Sequence, residues 1–133
     1  MSSPNRGIRQ LGELALRVND LRKMEAFYLD VVGLELLTSS TSSVFFRVAE
    51  GVPGHPQIFV LFDRSLEVDS ERSTIDHFAF VIDLVDYEAQ EVRLQERGVH
   101  VRRKEFPVFH WRSLFFSDPE GNTVELVCSD PAV

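Results

Sequence analysis

The sequence predicts an α+β protein: two βαβββ modules whose curved mixed sheets form a cup, within one chain or across a dimer. Three observations lead there. ELALRVNDL, from Glu13, is matched by HFAFVIDLV, from His77, with Ala15 on Ala79, Leu16 on Phe80 and Val18 on Ile82. SVFFRVAEG at 43–51 is matched by SLFFSDPEG at 113–121, with Ser, Phe, Phe, Glu and Gly in the same places. Gly33 corresponds to Gly98. Three matches in one order, all near half the chain length, mark an internal repeat of about 60 residues. The offset between copies runs from 64 to 70 and returns to 65 at the last strand, so the loops differ in length.

Each module opens on an alternating strand, 11–18 or 75–82. Strand side chains alternate faces, so Phe78, Phe80 and Ile82 share one face and His77, Ala79 and Val81 the other. A helix follows. In the first copy Asp20 is its N-cap, and Leu21, Met24, Tyr28 and Val31 form an apolar stripe at helical spacing. Tyr28 is expected to pack as core with its hydroxyl at the surface. Gly33 stops the helix. In the second copy Asp86 caps a helix that ends at Gly98, with a weaker stripe of Ala89 and Val92. Three strands complete each module, at 34–39, 43–49 and 57–63, then at 99–105, 110–117 and 122–128. DPEGN at 118–122 is a turn, because Pro119 fixes φ and Gly121 permits positive φ; GVPGHP at 51–56 is its looser equivalent. A sheet with one helix leaves its other face uncovered. The Phe-rich faces pack on the helices, and the small-residue faces line the cup. The repeat thus forms one domain over 8–129, with modules at about 8–64 and 74–129 and flexible tails at 1–7 and 130–133.

Composition narrows the function classes. Hydrophobic residues are 44% of the 133, enough for a core, and eleven are Phe. No apolar run approaches the ~20 residues of a membrane span, and MSSPNRGIRQ has no apolar signal region. One cysteine, Cys128, allows neither an internal disulfide nor a cysteine metal site, which suits a reduced cytoplasmic protein. Cys128 itself reads as a small buried hydrophobe. Net charge is −7, and RRKE at 102–105 is too short and mixed for a basic stripe, so nucleic acid is an unexpected partner. A small-molecule substrate or ligand and a homodimer are expected instead.

Polar residues at strand starts and centres mark the candidate site. Glu13 and His77 occupy equivalent places, each opening the cup-facing row of a first strand. Glu125 sits mid-strand between Val124 and Leu126, where its counterpart in the first copy is Val60. A carboxylate there is costly to bury unless it is paired or binds a metal. One imidazole and two carboxylates suit a divalent Fe, Mn, Ni, Co or Zn ion, with positions left open for water or substrate. Arg17 faces the cup and suits either an anionic substrate group or a neighbouring carboxylate. The run FHWRSLFF brings His110, Trp111 and Arg112 to the cup edge. Trp111, Ser113 and Phe115 share one face, His110 and Arg112 the other, and alternation alone does not say which is inward. Trp111, Arg112 and Phe115 are candidate substrate contacts, and His110 is a candidate general acid or base. His55 and His100 read as loop and strand-surface residues.

The module pair, the LRVNDL…FYLDVVGLEL run, the HFAF strand and the FSDPEGNTVEL ending together resemble the vicinal oxygen chelate superfamily. That group spans glyoxalase I, fosfomycin-resistance enzymes, extradiol dioxygenases and bleomycin resistance proteins. The resemblance covers about residues 8–129. It implies metal ligands at Glu13, His77 and Glu125, although the first place usually holds His or Gln. It also implies a fourth glyoxalase I ligand near Val60, which cannot serve, and a dioxygenase tyrosine where Phe115 stands. The implied function is a metal-dependent glyoxalase-like lyase or isomerase that chelates a substrate through vicinal oxygens, with Glu13 or Glu125 moving the proton. The alternatives are a metal-free drug-binding protein of the bleomycin-binding type, for which net charge and aromatic content suggest a cationic aromatic guest, an extradiol-type dioxygenase, or a regulatory module.

Overall fold

The computed structural model describes residues 9–64, 75 and 77–133, and the chain divides into two compact units, residues 1–68 and 69–133. The tail expected at 1–7 lies outside the described residues. The first unit runs β1 (Glu13–Val18), α1 (Leu21–Ala26) continued by a π-helical turn (Phe27–Val32), β2 (Glu35–Ser39), β3 (Ser43–Val52) and β4 (His55–Asp63). The second runs β5 (Phe78–Val81), a 3₁₀ turn (Leu84–Asp86), α2 (Tyr87–Glu96), β6 (Arg102–Phe106), β7 (Trp111–Ser117) and β8 (Thr123–Ser129). Each unit is a four-stranded mixed sheet, ordered β1-β4-β3-β2 and β5-β8-β7-β6. The first strand of each lies parallel to the last, and the other neighbours are antiparallel. Two βαβββ units are thus observed. No helix among the described residues is long and apolar enough to cross a membrane.

The first helix starts where the Asp20 carboxylate accepts a hydrogen bond from the Lys23 N–H at 3.1 Å. Leu21, Met24 and Tyr28 are buried along it. The last turn widens, and the Gly33 N–H, at φ 90°, reaches back to the Tyr28 carbonyl at 3.0 Å. Tyr28 is 0% exposed, so its hydroxyl is not at the surface as expected. Its ring sits 4.6 Å from Phe59 and 6.4 Å from Phe46, the aromatic centre of this unit's core.

The turn expected at 51–56 is present, tightened to two residues at the end of a long hairpin. Val52 pairs with His55 across Pro53-Gly54, so His55 is the first residue of β4. Gln10 straps this end: its Nε2 donates to the His55 carbonyl at 2.9 Å, and its Oε1 accepts from the Val52 N–H at 2.8 Å. Gly51 is required there. Its φ is 67°, and a Cβ would stand 2.5 Å from the His55 carbonyl oxygen.

In the second unit Asp86 stands at the head of α2 without a side-chain capping bond. The buried stripe is Tyr87 and Leu94; Ala89 and Val92, expected to form it, are exposed. The Tyr87 hydroxyl donates to the Ser113 carbonyl at 3.1 Å, tying α2 to β7. Arg103 holds the Glu91 carboxylate with two bonds, at 2.8 and 2.5 Å, tying β6 to α2. The DPEGN turn is built by Asp118, whose carboxylate accepts from the backbone of Glu120 and Asn122 and from the Asn122 amide.

In the segment 130–133, expected as a flexible tail, Pro131 and Ala132 are exposed but Asp130 and Val133 are anchored. Asp130 is buried, and its N–H donates to the His110 carbonyl at 2.8 Å. The His110 Nδ1 lies 2.7 Å from the Val133 carbonyl oxygen.

Cys128 is buried on the helix side of β8, and burial pushes its thiol above the ordinary value. The native thiol is therefore expected to resist an aromatic disulfide reagent at pH 8 and to react fully once the chain is unfolded. Rapid native reaction would contradict this packing. A raised thiol also means that, as pH climbs past the ordinary thiol value, the unfolded chain loses its proton first and stability falls.

Candidate metal and ligand site

Strand register builds the site. In the second unit Ala79 pairs with Glu125, Phe115 with Glu125, and Arg102 with Phe115. Paired residues share a face, so these four form one row across the sheet on the face turned away from α2. His77 stands two residues before Ala79 on the same side.

Glu125 is only 6% exposed, in the middle of an apolar strand. A buried carboxylate costs several kcal/mol unless its oxygens are satisfied. Both are. The buried Ser113 hydroxyl donates to Oε2 at 2.6 Å, and His77 Nε2 lies 3.1 Å from Oε1. That separation suits a hydrogen bond from the imidazole. It equally suits two side chains that would hold one divalent ion between them, an imidazole nitrogen and a carboxylate oxygen being ordinary donors for such an ion. Ser113 then acts as the outer support that fixes the carboxylate's orientation. Among the described residues no group of three His, Cys, Asp or Glu side chains is close enough to hold an ion.

The first unit repeats this register with different chemistry. Ala15 and Phe45 both pair with Val60, so Val60 occupies the place of Glu125 and is fully buried. Glu13 opens β1 opposite Ile58 and is exposed. Arg17 is exposed on the same face, its guanidinium 5.9 Å from the Phe62 ring centroid. Arg47, not anticipated from the sequence, pairs with Glu35 at 2.6 Å.

A cavity of about 490 Å³ opens over the His77–Glu125 pair, within the usual size for a small-molecule site. Thr123 and Phe115 share its floor. Phe106, Phe109 and Trp111 form an aromatic wall, and Phe109 stacks on Trp111 at 4.7 Å and 24°. Arg102 and Lys104 line the β6 side. Each rests over a ring, Arg102 at 5.7 Å from Phe115 and Lys104 at 5.1 Å from Phe106.

The structure therefore turns Trp111 and Phe115 toward the cavity and separates Arg112 and His110 from it. Arg112 lies on the helix side, 5.3 Å over Tyr87 and 3.3 Å from both Glu105 and Asp130. It is engaged on that side and does not line this cavity. His110 takes a left-handed backbone, φ 56°, and its ring lies against the Val133 carbonyl, away from the residues that line the cavity. Arg102, Lys104, Phe106, Phe109 and Ser113 were missed. The signal lay in RRKEF: alternation puts Arg102, Lys104 and Phe106 on one face, but only pairing with β7 shows which way that face points.

The profile of the Glyoxalase/Bleomycin resistance protein/Dioxygenase superfamily matches residues 10–126. The chain belongs to that superfamily. Its relatives within this glyoxalase superfamily are diverse. The chain is 24% identical to metallothiol transferase FosB of Staphylococcus epidermidis over 120 residues, 90% of this chain and 81% of the relative. Its structure matches lactoylglutathione lyase from Agrobacterium tumefaciens with a TM-score of 0.71 at 28% identity, covering 95% and 96% of the two chains. It also matches TnmS3, an antibiotic binding protein from a Streptomyces species, with a TM-score of 0.68 at 27% identity, covering 95% and 100%. Enzymes and a binding protein thus share this glyoxalase-superfamily scaffold, and the scaffold alone does not choose between them.

Proposed function

We propose that the protein is a metal-dependent glyoxalase-like enzyme of the lyase or isomerase type, acting on a small substrate with vicinal oxygens. The observation that carries this reading is Glu125: buried mid-strand, oriented by Ser113, with His77 Nε2 3.1 Å from its outer oxygen. His77 and Glu125 are the proposed ligands. Glu13, at the register of His77 in the first unit, is the further ligand that the repeat suggests, and its exposed carboxylate is the candidate proton carrier. A bound divalent ion supplies Lewis acidity that steadies negative charge developing on the substrate oxygens. The chain's own contribution is placement. Ser113 stops the carboxylate turning, Phe115 packs edge-on against the imidazole with ring centroids 6.0 Å apart, and the aromatic wall keeps bulk water from one side. The relatives support this reading, since they include a metallothiol transferase and a lyase.

The second reading is a metal-free small-molecule binder, favoured by the stacked Phe109–Trp111 wall and the likeness to an antibiotic binding protein. Elemental analysis separates the two after incubation with Mn²⁺, Fe²⁺, Ni²⁺ or Zn²⁺ and desalting. Near-stoichiometric metal is expected in the wild type, and His77→Ala is expected to lose more than about 100-fold in affinity, since removing even an outer partner of a ligand costs about 10–100-fold. Wild-type protein that retains none of the four ions would remove the enzyme reading and leave the binder.

A further inference from the structure

We infer that the cavity selects an aromatic anion, with its ring on the Phe109–Trp111 wall and its negative group held between Arg102 and Lys104. The inference deepens the proposed function by naming a ligand class for the same cavity, and it rests on that cavity being the functional one.

The charges decide it. Most arginines of this unit's sheet are committed: Arg103 holds Glu91, and Arg112 lies between Glu105 and Asp130. Among the described residues Arg102 and Lys104 have no carboxylate partner and rest on ring faces instead. They stand two residues apart on β6, on the cavity face, so their heads can converge on one anionic group. On the opposite side, Glu125 is engaged by Ser113 and His77 in the metal-free protein, and in the metal-loaded protein it would be engaged by the ion of the proposed function, so in either state it offers little to an organic cation.

The spacing fits a planar body. Arg102 and Glu125 lie in one row, separated by β7, so two interstrand steps of 4.7–4.9 Å put their backbones about 10 Å apart. A ring seated at Trp111 and Phe106, two pairs beyond Lys104 and four beyond Arg102 along β6 and β7, can send a carboxylate toward Lys104, with the long Arg102 side chain reaching it from the other end. The net charge of −7 does not reverse this preference. Charges beyond ~8 Å are largely screened at physiological ionic strength, whereas the two cations stand at the ligand.

Calorimetric titration with 4-nitrobenzoate, 4-nitrobenzamide and 4-nitrobenzylammonium tests the inference, on protein stripped with chelator and on metal-loaded protein. The anion is expected to bind roughly tenfold tighter than the neutral amide in both states and tighter still than the cation. Arg102→Gln with Lys104→Gln is expected to erase that preference while leaving amide binding unchanged; both side chains are exposed, and an unchanged unfolding curve confirms the fold. Trp111→Leu is expected to weaken all three probes together. Equal binding of anion and cation, tighter binding of the cation, no binding of any probe, or a preference that survives the double substitution overturns it. Failure to take up metal with the anion preference intact removes only the enzyme reading. Metal uptake with no anion preference removes only this inference.

Discussion

Glu125→Val is expected to abolish divalent-metal uptake while leaving the metal-free fold as stable as before, or more stable by up to about 2 kcal/mol. The substitution writes into the second unit the residue that the first unit carries at Val60, at the same register. Replacing a whole buried ion pair with well-packed apolar groups is often neutral or stabilising by about 1–4 kcal/mol, and the partner left behind here, His77, is exposed and can turn to water rather than stay buried unpaired. Part of that gain is offset because the buried Ser113 hydroxyl loses its acceptor, a loss of about 1 kcal/mol. Opposite signs for function and stability mark a residue retained for chemistry. Elemental analysis gives the first quantity and urea unfolding of chelated protein the second. Full metal occupancy in Glu125→Val would end the case for this carboxylate as a ligand. A loss of several kcal/mol would make it a structural ion pair.

Tyr28→Ala carries the largest expected loss of stability, about 3–5 kcal/mol. Tyr28 is fully buried and meets Phe27, Phe46 and Phe59, so its removal opens a cavity lined by rings that the sheet behind them holds in place. Against a typical total of 5–15 kcal/mol that is a large share. The site residues His77, Ser113 and Glu125 lie in the other unit, so at low temperature the variant is expected to keep its metal while its urea midpoint falls sharply. A change below about 1 kcal/mol would mean that the aromatic cluster is not the centre of the first core.

Local signals in the sequence were enough for the architecture and for the nearness of His77 to Glu125. Asp20 and Gly33 bracket the first helix as their chemistry dictates, and the repeat aligned Glu13 with His77 and Val60 with Glu125, which the strand registers bear out. What stayed hidden depends on partners distant in sequence. Alternation in FHWRSLFF separates Trp111 from Arg112, but which set faces the cavity is decided by Arg112 finding Tyr87 and Asp130. In α2 the stripe is Tyr87 and Leu94, one heptad apart, and the apolar Ala89 and Val92 between them drew attention to the wrong face. RRKE, discounted as a charge run, splits into a structural half, Arg103 and Glu105, and a cavity half, Arg102 and Lys104. The last residues gave no sign that Asp130 is buried, because its partners, His110 and Arg112, belong to β7 and the turn before it.

The presence of Val60 at the register of Glu125 also bears on motion. Local opening is easiest where a strand's burial is least favourable. In β4 the central residues Phe59, Val60 and Leu61 are all apolar and all fully buried, so exposing any of them to water is opposed. In β8 the central residue is a carboxylate that water would solvate gladly, held in by one hydroxyl and one imidazole. The second sheet is therefore expected to exchange its central amides faster than the first, beside the proposed ligand cavity.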